Sequence, residues 1–370
     1  MQSFVYAMSD QSKPLIQLCE CLRGCLPNIV DWESIFRIAN HSLTTPALKD
    51  FVERYRGQIP EDVSNYVDEI FRRNLIRNGR LMAQVAEAAA ALNEQNVQPV
   101  LLKGLAKLAT SAERQIGTRI ISDIDILVSH DECDSSLNAL KQLGYQIISW
   151  ADDERSHWYV NVKRPQDVTH IDLHIKPPGY EFFSSAATEL KHHCQLVPCG
   201  QAFAYVPSPT YQALLLIVHD QLHDADYWLG KIALRHLLDL RDLARSSEGI
   251  DWKLLNSLFE SKTAKNALDT QLVTLFMLLD VDVPDDLRKR FLPRVQYRRR
   301  LLQMQVPVLA DVLLLLTLFM ELPNYADYRA HMEFPTLSAH GTVSKPHAMR
   351  GWSNFQFLRG LMRVPHRGKI

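Results

Sequence analysis

Two aspartates separated by one residue, Asp123 and Asp125, are the residues of this chain best suited to chemistry. They belong to an apolar run, in which strand alternation places both carboxylates on one face and Ile124 and Ile126 on the buried face. Neighbouring carboxylates repel each other, and a divalent cation removes that repulsion. Mg²⁺ takes one or two carboxylates and completes its shell with water and phosphate oxygens. The spacing therefore predicts a site for a metal ion and a nucleotide.

A third carboxylate lies in the alternating segment 169–175. Its apolar residues are expected to face the core, which leaves three polar residues on the other face, His170, Asp172 and His174. A strand carrying Asp172 beside the first strand would bring three carboxylates together. That number suits a two-metal phosphoryl-transfer centre, in which one metal activates the attacking oxygen and the other holds the triphosphate.

A Lys-Gly pair upstream of the aspartates offers a way to hold phosphate groups. Lys103 is expected to end a short strand, and Gly104 to open a helix over residues 104–111. The free N–H groups and the dipole of a helix N-terminus attract anions, and Lys103 adds a positive charge there. Arg119 either binds phosphate as well or pairs with a carboxylate.

In the order of these residues, the chain resembles the polymerase-β-type nucleotidyltransferase superfamily. More narrowly, it is similar to a bacterial family of uncharacterised nucleotidyltransferases whose pattern joins Lys-Gly, Arg, Ser-Asp-Ile-Asp and His-x-Asp-Leu-His. Flanking residues match the same family, namely Asn40, His41, Pro46, Asn74 or Asn78, Gly144 and Tyr145. The resemblance implies a small mixed β-sheet, two Mg²⁺ ions (or Mn²⁺), and transfer of a nucleoside monophosphate from an NTP to an acceptor hydroxyl.

The resemblance also implies roles for individual residues. Catalysis and metal binding fall to Asp123, Asp125 and Asp172, and the last of these helps to deprotonate the acceptor hydroxyl. Nucleotide binding falls to Lys103, Gly104, Arg119 and Ser122. His170 and His174 are expected to brace Asp172 or to line an acceptor pocket. One departure is that Leu105 follows Gly104, where the superfamily usually has Ser or Gly, so phosphate binding must rely on backbone N–H groups and on Lys103 or Arg119.

Three other classes of function remain open. A zinc hydrolase is suggested by His219 and His223, which lie one helical turn apart, although the metalloprotease pattern requires Glu where the chain has Asp220. A non-catalytic protein that binds a nucleotide or a partner is a second alternative. A modifier of small molecules, such as an antibiotic or a sugar, is the third.

Composition limits the setting of this chemistry. With 370 residues and 46% hydrophobic content the chain can bury a substantial core, and its net charge of -1 gives no global attraction for nucleic acid. None of the six cysteines forms a Cys-x-x-Cys pair. The first residues lack a secretory signal, and the apolar stretch 306–320 contains Asp311 and is too short to span a bilayer. A cytoplasmic protein without membrane contact is predicted.

The pattern along the chain predicts an α+β fold, with a small mixed sheet between two helical regions. The expected units are an N-terminal helical region (1–95), a nucleotidyltransferase core (96–206), a helical C-terminal domain (207–325) and a basic aromatic tail (326–370). Five strands are expected, at 100–103, 122–128, 145–149, 158–162 and 169–175. Basic residues at 288–300 and, with aromatics, at 345–369 make RNA a candidate acceptor. Alternatively, the basic residues at 288–300 form a solvated helix face and the basic tail docks on the body of the protein.

Overall fold

The computed structural model describes residues 11–150, 159–177, 179, 190–332 and 368–370 of the chain. In these residues a seven-stranded mixed sheet has helical regions on its N-terminal and C-terminal sides in the sequence. This confirms the predicted α+β fold class. The predicted unit boundaries stay a prediction, and most of the basic aromatic tail lies outside the described residues.

From residue 11 onward, the N-terminal region has four α-helices: α1 (Ser12–Leu22), α2 (Trp32–His41), α3 (Lys49–Tyr55) and α4 (Glu61–Glu94). Asp31 is the N-cap of helix α2, because its side chain accepts a hydrogen bond from the Ser34 N–H at 3.1 Å. The long helix α4 passes from one core to another. Its first turns pack with the other helices through Val63 and Val67, and its second half packs on the sheet.

The sheet has the strand order β3-β4-β5-β2-β1-β7-β6. Its strands are β1 (Val100–Leu101), β2 (Ile124–Leu127), β3 (Gln146–Trp150), β4 (Tyr159–Lys163), β5 (Ile171–His174), β6 (Cys194–Cys199) and β7 (Ala202–Pro207). Helices α5 (Lys103–Thr110) and α6 (Cys133–Gln142) follow β1 and β2 along the chain. Strands β2 and β5 run parallel to each other, whereas β1 and β4 are antiparallel to these neighbours.

The hairpin of β6 and β7 is not among the strands that the sequence pattern predicts. Strand β6 forms one end of the sheet, it contains Pro198, and it exposes nearly half of the Leu196 surface. Proline is tolerated on such an edge strand, but an edge strand with little buried apolar surface leaves a weak alternation in the sequence.

The C-terminal region is helical. It comprises α7 (Pro209–Val218), a π-helical turn (His219–His223), α8 (Asp226–Leu229), α9 (Leu234–Ala244), α10 (Trp252–Ser257), α11 (Lys262–Leu279), α12 (Asp285–Arg288), α13 (Phe291–Gln305) and α14 (Ala310–Met332). A single helix over residues 227–246 is expected from the sequence, but two helices form. Gly230 ends α8 with a φ of 70°, a left-handed conformation that glycine adopts without steric cost.

Two apolar cores hold these elements. One core joins the inner face of the sheet to the second half of α4 and to α6. The other joins helices from the N-terminal region to helices of the C-terminal region, so the two ends of the chain share a core. Within the described residues, no helix combines the length and apolarity needed to cross a bilayer.

The basic stretch 288–300 is partly used inside the protein. Arg299 donates to the backbone carbonyls of Tyr227 and Trp228, and Arg300 is fully buried, where it donates to Gln221. These two cations therefore join helices rather than form an exposed basic face. These two arginines therefore give no support to RNA as the acceptor.

Candidate active site

The paired strands β2 and β5 bring the three predicted carboxylates together. Ile124 and Ile126 are fully buried and fix β2 against the core, and Asp125 lies opposite Asp172 in the parallel register. Asp123 lies directly before β2. Ligand atoms of Asp123, His170 and Asp172 lie within 4.8 Å of one another, and so do those of Asp125, Asp172 and His174.

Asp125 is buried and held by two nitrogen atoms, one from the Lys103 cation and one from the His174 ring. Lys103 Nζ and His174 Nε2 both lie 2.9 Å from its Oδ1 atom. Burial alone would raise the pKa of Asp125, but Lys103 and His174 hold it well below its ordinary value. Asp125 is therefore an anion at neutral pH. His174 braces Asp125, whereas Asp172 was the partner expected for this histidine.

Asp172 has weaker partners and a different charge state. Asn161 Nδ2 donates to its Oδ1 at 2.8 Å, and His170 Nε2 lies 3.6 Å from the same oxygen. Burial, followed by repulsion from Asp125 and Asp123, raises the pKa of Asp172 to about 7. The three carboxylates therefore lack positive charge on the side of Asp172. Oxygen donors with that deficit fit a hard divalent cation such as Mg²⁺.

Lys103 adopts a rare backbone conformation at the start of α5. Its φ is 51°, in the left-handed region that non-glycine residues seldom occupy. Gly104 is needed for a close approach instead, because a Cβ there would lie 2.6 Å from Ile121 Cδ1. Strain of this kind is concentrated at functional sites. Helix α5 begins at the Lys-Gly pair, as the sequence predicts, but its first residue is Lys103 and not Gly104.

Arg119 makes an ion pair within the protein. Its Nε lies 3.1 Å and 2.9 Å from the two carboxylate oxygens of Asp239 on α9. Lys107 Nζ reaches Asp239 at 3.0 Å and Asp242 at 2.5 Å. Of the two roles that the sequence allows for Arg119, pairing with a carboxylate is the one seen. These pairs fasten α9 to the core beside the carboxylates.

Asparagines on α4 fix the segment that leads to Asp123. Asn78 Nδ2 donates to the carbonyls of Ile116 and Arg119, each at 2.7 Å, and Asn74 Nδ2 donates to that of Arg119 at 3.0 Å. Ser122 Oγ then donates to Asp123 Oδ1 at 2.8 Å. The loop before β2 is therefore held by side chains that are buried in the structure.

A cavity of about 100 Å³ opens between the core and the C-terminal helices. The core contributes seven residues, Lys103, Gly104, Arg119, Ile121, Ser122, Asp123 and Asp125. The helices contribute three residues, His219, Arg235 and His236. Arg235 and His236 have no role predicted from the sequence, because a charged helix face has no distinctive spacing. His170 and His174 are not among the lining residues.

One of the two histidines that suggest a zinc site, His219, belongs to a cluster of carboxylates and basic side chains. His219 Nδ1 lies 3.4 Å from Asp220 and 3.5 Å from Asp224, on and just after a π-helical turn. Lys369 Nζ lies 2.7 Å from Asp224, and His236 Nδ1 lies 2.8 Å from Asp220. These carboxylates already have cationic partners. The ligand atoms of His219, Asp220 and Asp224 lie within 4.8 Å of one another, but the cations already bound to the two carboxylates do not favour a zinc hydrolase.

Comparisons with known proteins add a family to this geometry. Curated proteins give no significant match. A solved structure, the solution structure of the antibiotic-resistance factor ANT(2'')-Ia, is similar at a TM-score of 0.32 and 14% identity, covering 44% of this chain and 82% of that one. That similarity is too low to support an argument about the site. A family model described as uncharacterised nucleotidyltransferase matches residues 28–278, more than half of the chain. The chain therefore belongs to this family and is a nucleotidyltransferase.

Proposed function

We propose that the enzyme transfers a nucleoside monophosphate from an NTP to a hydroxyl group of an acceptor, in a Mg²⁺-dependent reaction. The observation that carries the proposal is a cavity lined by Asp123 and Asp125 together with Lys103 and Arg235, with ligand atoms of Asp172 within 4.8 Å of those of each aspartate. Three carboxylates without a metal would repel an NTP. With a metal they attract it.

Asp123, Asp125 and Asp172 are the residues that would hold the two Mg²⁺ ions, or Mn²⁺ in their place. Carboxylate oxygen is the donor that both metals prefer, whereas the nearby imidazoles suit softer metals better. Bound there, the ions would neutralise the triphosphate and stabilise the charge on the attacking and leaving oxygens. His174 and Asn161 orient two of the carboxylates through the hydrogen bonds described above.

Lys103 and Arg235 bind the triphosphate from opposite walls of the cavity in this proposal. Within the described residues, the Arg235 guanidinium has no hydrogen bond or ion pair. Burial, followed by repulsion from Arg119, lowers the pKa of Arg235 to about 10. A phosphate group beside it would relieve both effects. Arg235 also lies in the first turn of α9, where the helix dipole favours an anion.

Arg119 and Ser122 contribute less directly to nucleotide binding than Lys103 and Arg235 in this proposal. The Arg119 guanidinium is neutralised by Asp239, so it lines the cavity but contributes less charge to the nucleotide than Arg235 does. Ser122 aligns Asp123 through its hydroxyl group. The acceptor belongs to a class still to be identified, which is an RNA, a protein or a small molecule. All six cysteines are free thiols, which is consistent with a reducing compartment such as the cytoplasm.

A transfer assay tests the proposal. Each α-labelled NTP is incubated with Mg²⁺, the full chain, and total RNA, extract protein or small metabolites in separate reactions. Label is expected in one acceptor class with the wild-type enzyme and in none with Asp123→Asn. Asp131→Asn is the matched control, because its side chain is fully exposed beyond β2 and should leave transfer unchanged. Transfer by Asp123→Asn at the wild-type rate, or none by the wild-type enzyme, would overturn the proposal.

A further inference from the structure

His236 lines the same cavity as Asp123 and Asp125. It lies in the first turn of α9, and its Nδ1 atom is 2.8 Å and 2.9 Å from the two carboxylate oxygens of Asp220. Asp220 is fully buried on the π-helical turn. A π-helical turn is rare and is frequently found at functional sites. Here it brings a buried carboxylate behind a histidine that lines the cavity.

The hydrogen bond to Asp220 fixes the protonation state of the imidazole. Hydrogen bonds from His236 and His219 and the charge of Lys369 outweigh burial, so the pKa of Asp220 lies well below its ordinary value and the carboxylate can only accept hydrogen bonds. Nδ1 of His236 must therefore carry the proton. Burial lowers the pKa of His236, so the ring is neutral at physiological pH and Nε2 has a free lone pair.

The second ring nitrogen is the atom left for chemistry. Within the described residues, Nε2 of His236 has no hydrogen-bond partner, and its residue lines the same cavity as Asp123 and Asp125. The charged groups around the ring come from three elements, and they are Asp220, His219, Arg235, Asp239 and Arg119. The carboxylate–imidazole arrangement is the one by which hydrolases activate a hydroxyl group.

We propose that Asp220 and His236 form the general base of the transfer reaction, which places the acceptor hydroxyl between the carboxylates and α9. This inference rests on the proposed function. The acceptor hydroxyl gives its proton to Nε2 of His236 while its oxygen forms a bond to the α-phosphorus. The bond between the α-phosphorus and the bridging oxygen breaks, and pyrophosphate leaves. The imidazolium then releases its proton to water.

Kinetics of His236 variants test the inference with the acceptor fraction that becomes labelled in the transfer assay. Loss of a general base slows the chemical step by about 100-fold to 10,000-fold. His236→Gln is expected to lower kcat in that range and to leave the KM for the NTP within about threefold, because the metal and phosphate ligands remain. His193→Gln is the control, since this ring stacks on Tyr211 at 4.1 Å, outside the cavity, and should keep wild-type kcat.

Chemical rescue separates a base from a packing residue. His236→Ala leaves room for a small base. Added imidazole is expected to raise the kcat of this variant by about tenfold or more, because it can accept the proton that His236 would accept. Imidazole cannot restore a misfolded site. Wild-type kcat in His236→Gln, or no rescue of His236→Ala while its NTP affinity is intact, would overturn the inference alone. An inactive wild-type enzyme would overturn the proposed function with it.

Discussion

Asp125 and Asp172 lie directly opposite each other on the parallel strands β2 and β5, yet they have different charge states. Lys103 and His174 both bind Asp125, whereas Asp172 has the neutral amide of Asn161. The pKa of Asp125 is therefore held well below its ordinary value, and that of Asp172 is raised to about 7. One carboxylate is anchored to the protein by charge. The other is available to respond to a cation.

This asymmetry predicts different effects of two substitutions at the metal site. Asp125→Asn leaves the buried Lys103 ammonium without its anion, and loss of one partner of a buried pair costs about 3 kcal/mol or more. Asp123 is half-buried and bonded to Ser122, so Asp123→Asn should change the free energy of unfolding little. Both variants should lose transfer.

Urea unfolding monitored by circular dichroism measures the two costs. The Asp123→Asn variant serves as the control, since it removes one carboxylate without leaving a cation unpaired. From the sequence alone both variants are expected to keep the fold, and the burial of Asp125 changes that expectation. Equal unfolding free energies for the two variants would contradict the ion-pair argument.

Asp172 should make the effect of Mg²⁺ on stability depend on pH. Its pKa is about 7 in the folded protein and about 4 in the unfolded chain, so its contribution to stability is present below about pH 4 and is lost as the pH rises through about 7. A bound cation offsets the loss by attracting the ionised carboxylate. Mg²⁺ should therefore raise Tm more at about pH 8 than at about pH 6.

Scanning calorimetry with and without Mg²⁺ at both pH values measures this difference. In Asp172→Asn the side chain no longer titrates, so most of the pH dependence of the Mg²⁺ effect should disappear. The same Mg²⁺-induced rise in Tm at both pH values in the wild-type protein would show that Asp172 is ionised throughout.

The core of the site is predictable from sequence because it is local. Asp125 and Asp172 lie on strands with alternating apolar residues, Asp123 directly precedes the first of these strands, and the burial of Ile124, Ile126 and Ile171 follows from that alternation. The start of α5 at the Lys-Gly pair is likewise within one residue of expectation. The fold class follows from the sequence pattern, and the enzyme class follows from the family resemblance that these motifs carry.

The second wall of the cavity could not be predicted, because it depends on contacts between distant segments. Arg235 and His236 lie more than 100 residues after Asp123, and they reach the cavity only because Gly230 ends α8 and the chain begins a new helix. The pairing of Arg119 with Asp239 has the same origin. The hairpin of β6 and β7 is missed for a different reason, since its edge strand buries little apolar surface.

Asp239 should be essential for the attachment of α9 to the core. It is buried and pairs with Arg119 at 2.9 Å and Lys107 at 3.0 Å. Asp239→Asn would leave two cations without their shared anion, at an expected cost of about 3–5 kcal/mol in unfolding free energy. Asp242→Asn is the matched control, because the Asp242 side chain is 39% exposed and its pair with Lys107 should contribute about 1 kcal/mol or less. Denaturant unfolding of both variants measures the contrast, and equal costs would contradict it.

Arg235 should govern affinity for the nucleotide without governing stability. It has no hydrogen bond or ion pair within the described residues, so Arg235→Gln removes neither from the free protein and should leave Tm nearly unchanged. A hydrogen bond to a charged group contributes about 1.5–3 kcal/mol. Loss of such a bond to the triphosphate should weaken binding of Mg²⁺·NTP by about 10-fold to 150-fold, measured by isothermal titration calorimetry with a non-hydrolysable analogue.

The control is Arg294→Gln, which removes an exposed arginine of α13 that does not line the cavity. This variant should bind Mg²⁺·NTP like the wild type. Equal affinity in the two variants would remove Arg235 from the phosphate site and leave Lys103 and α5 to hold the triphosphate.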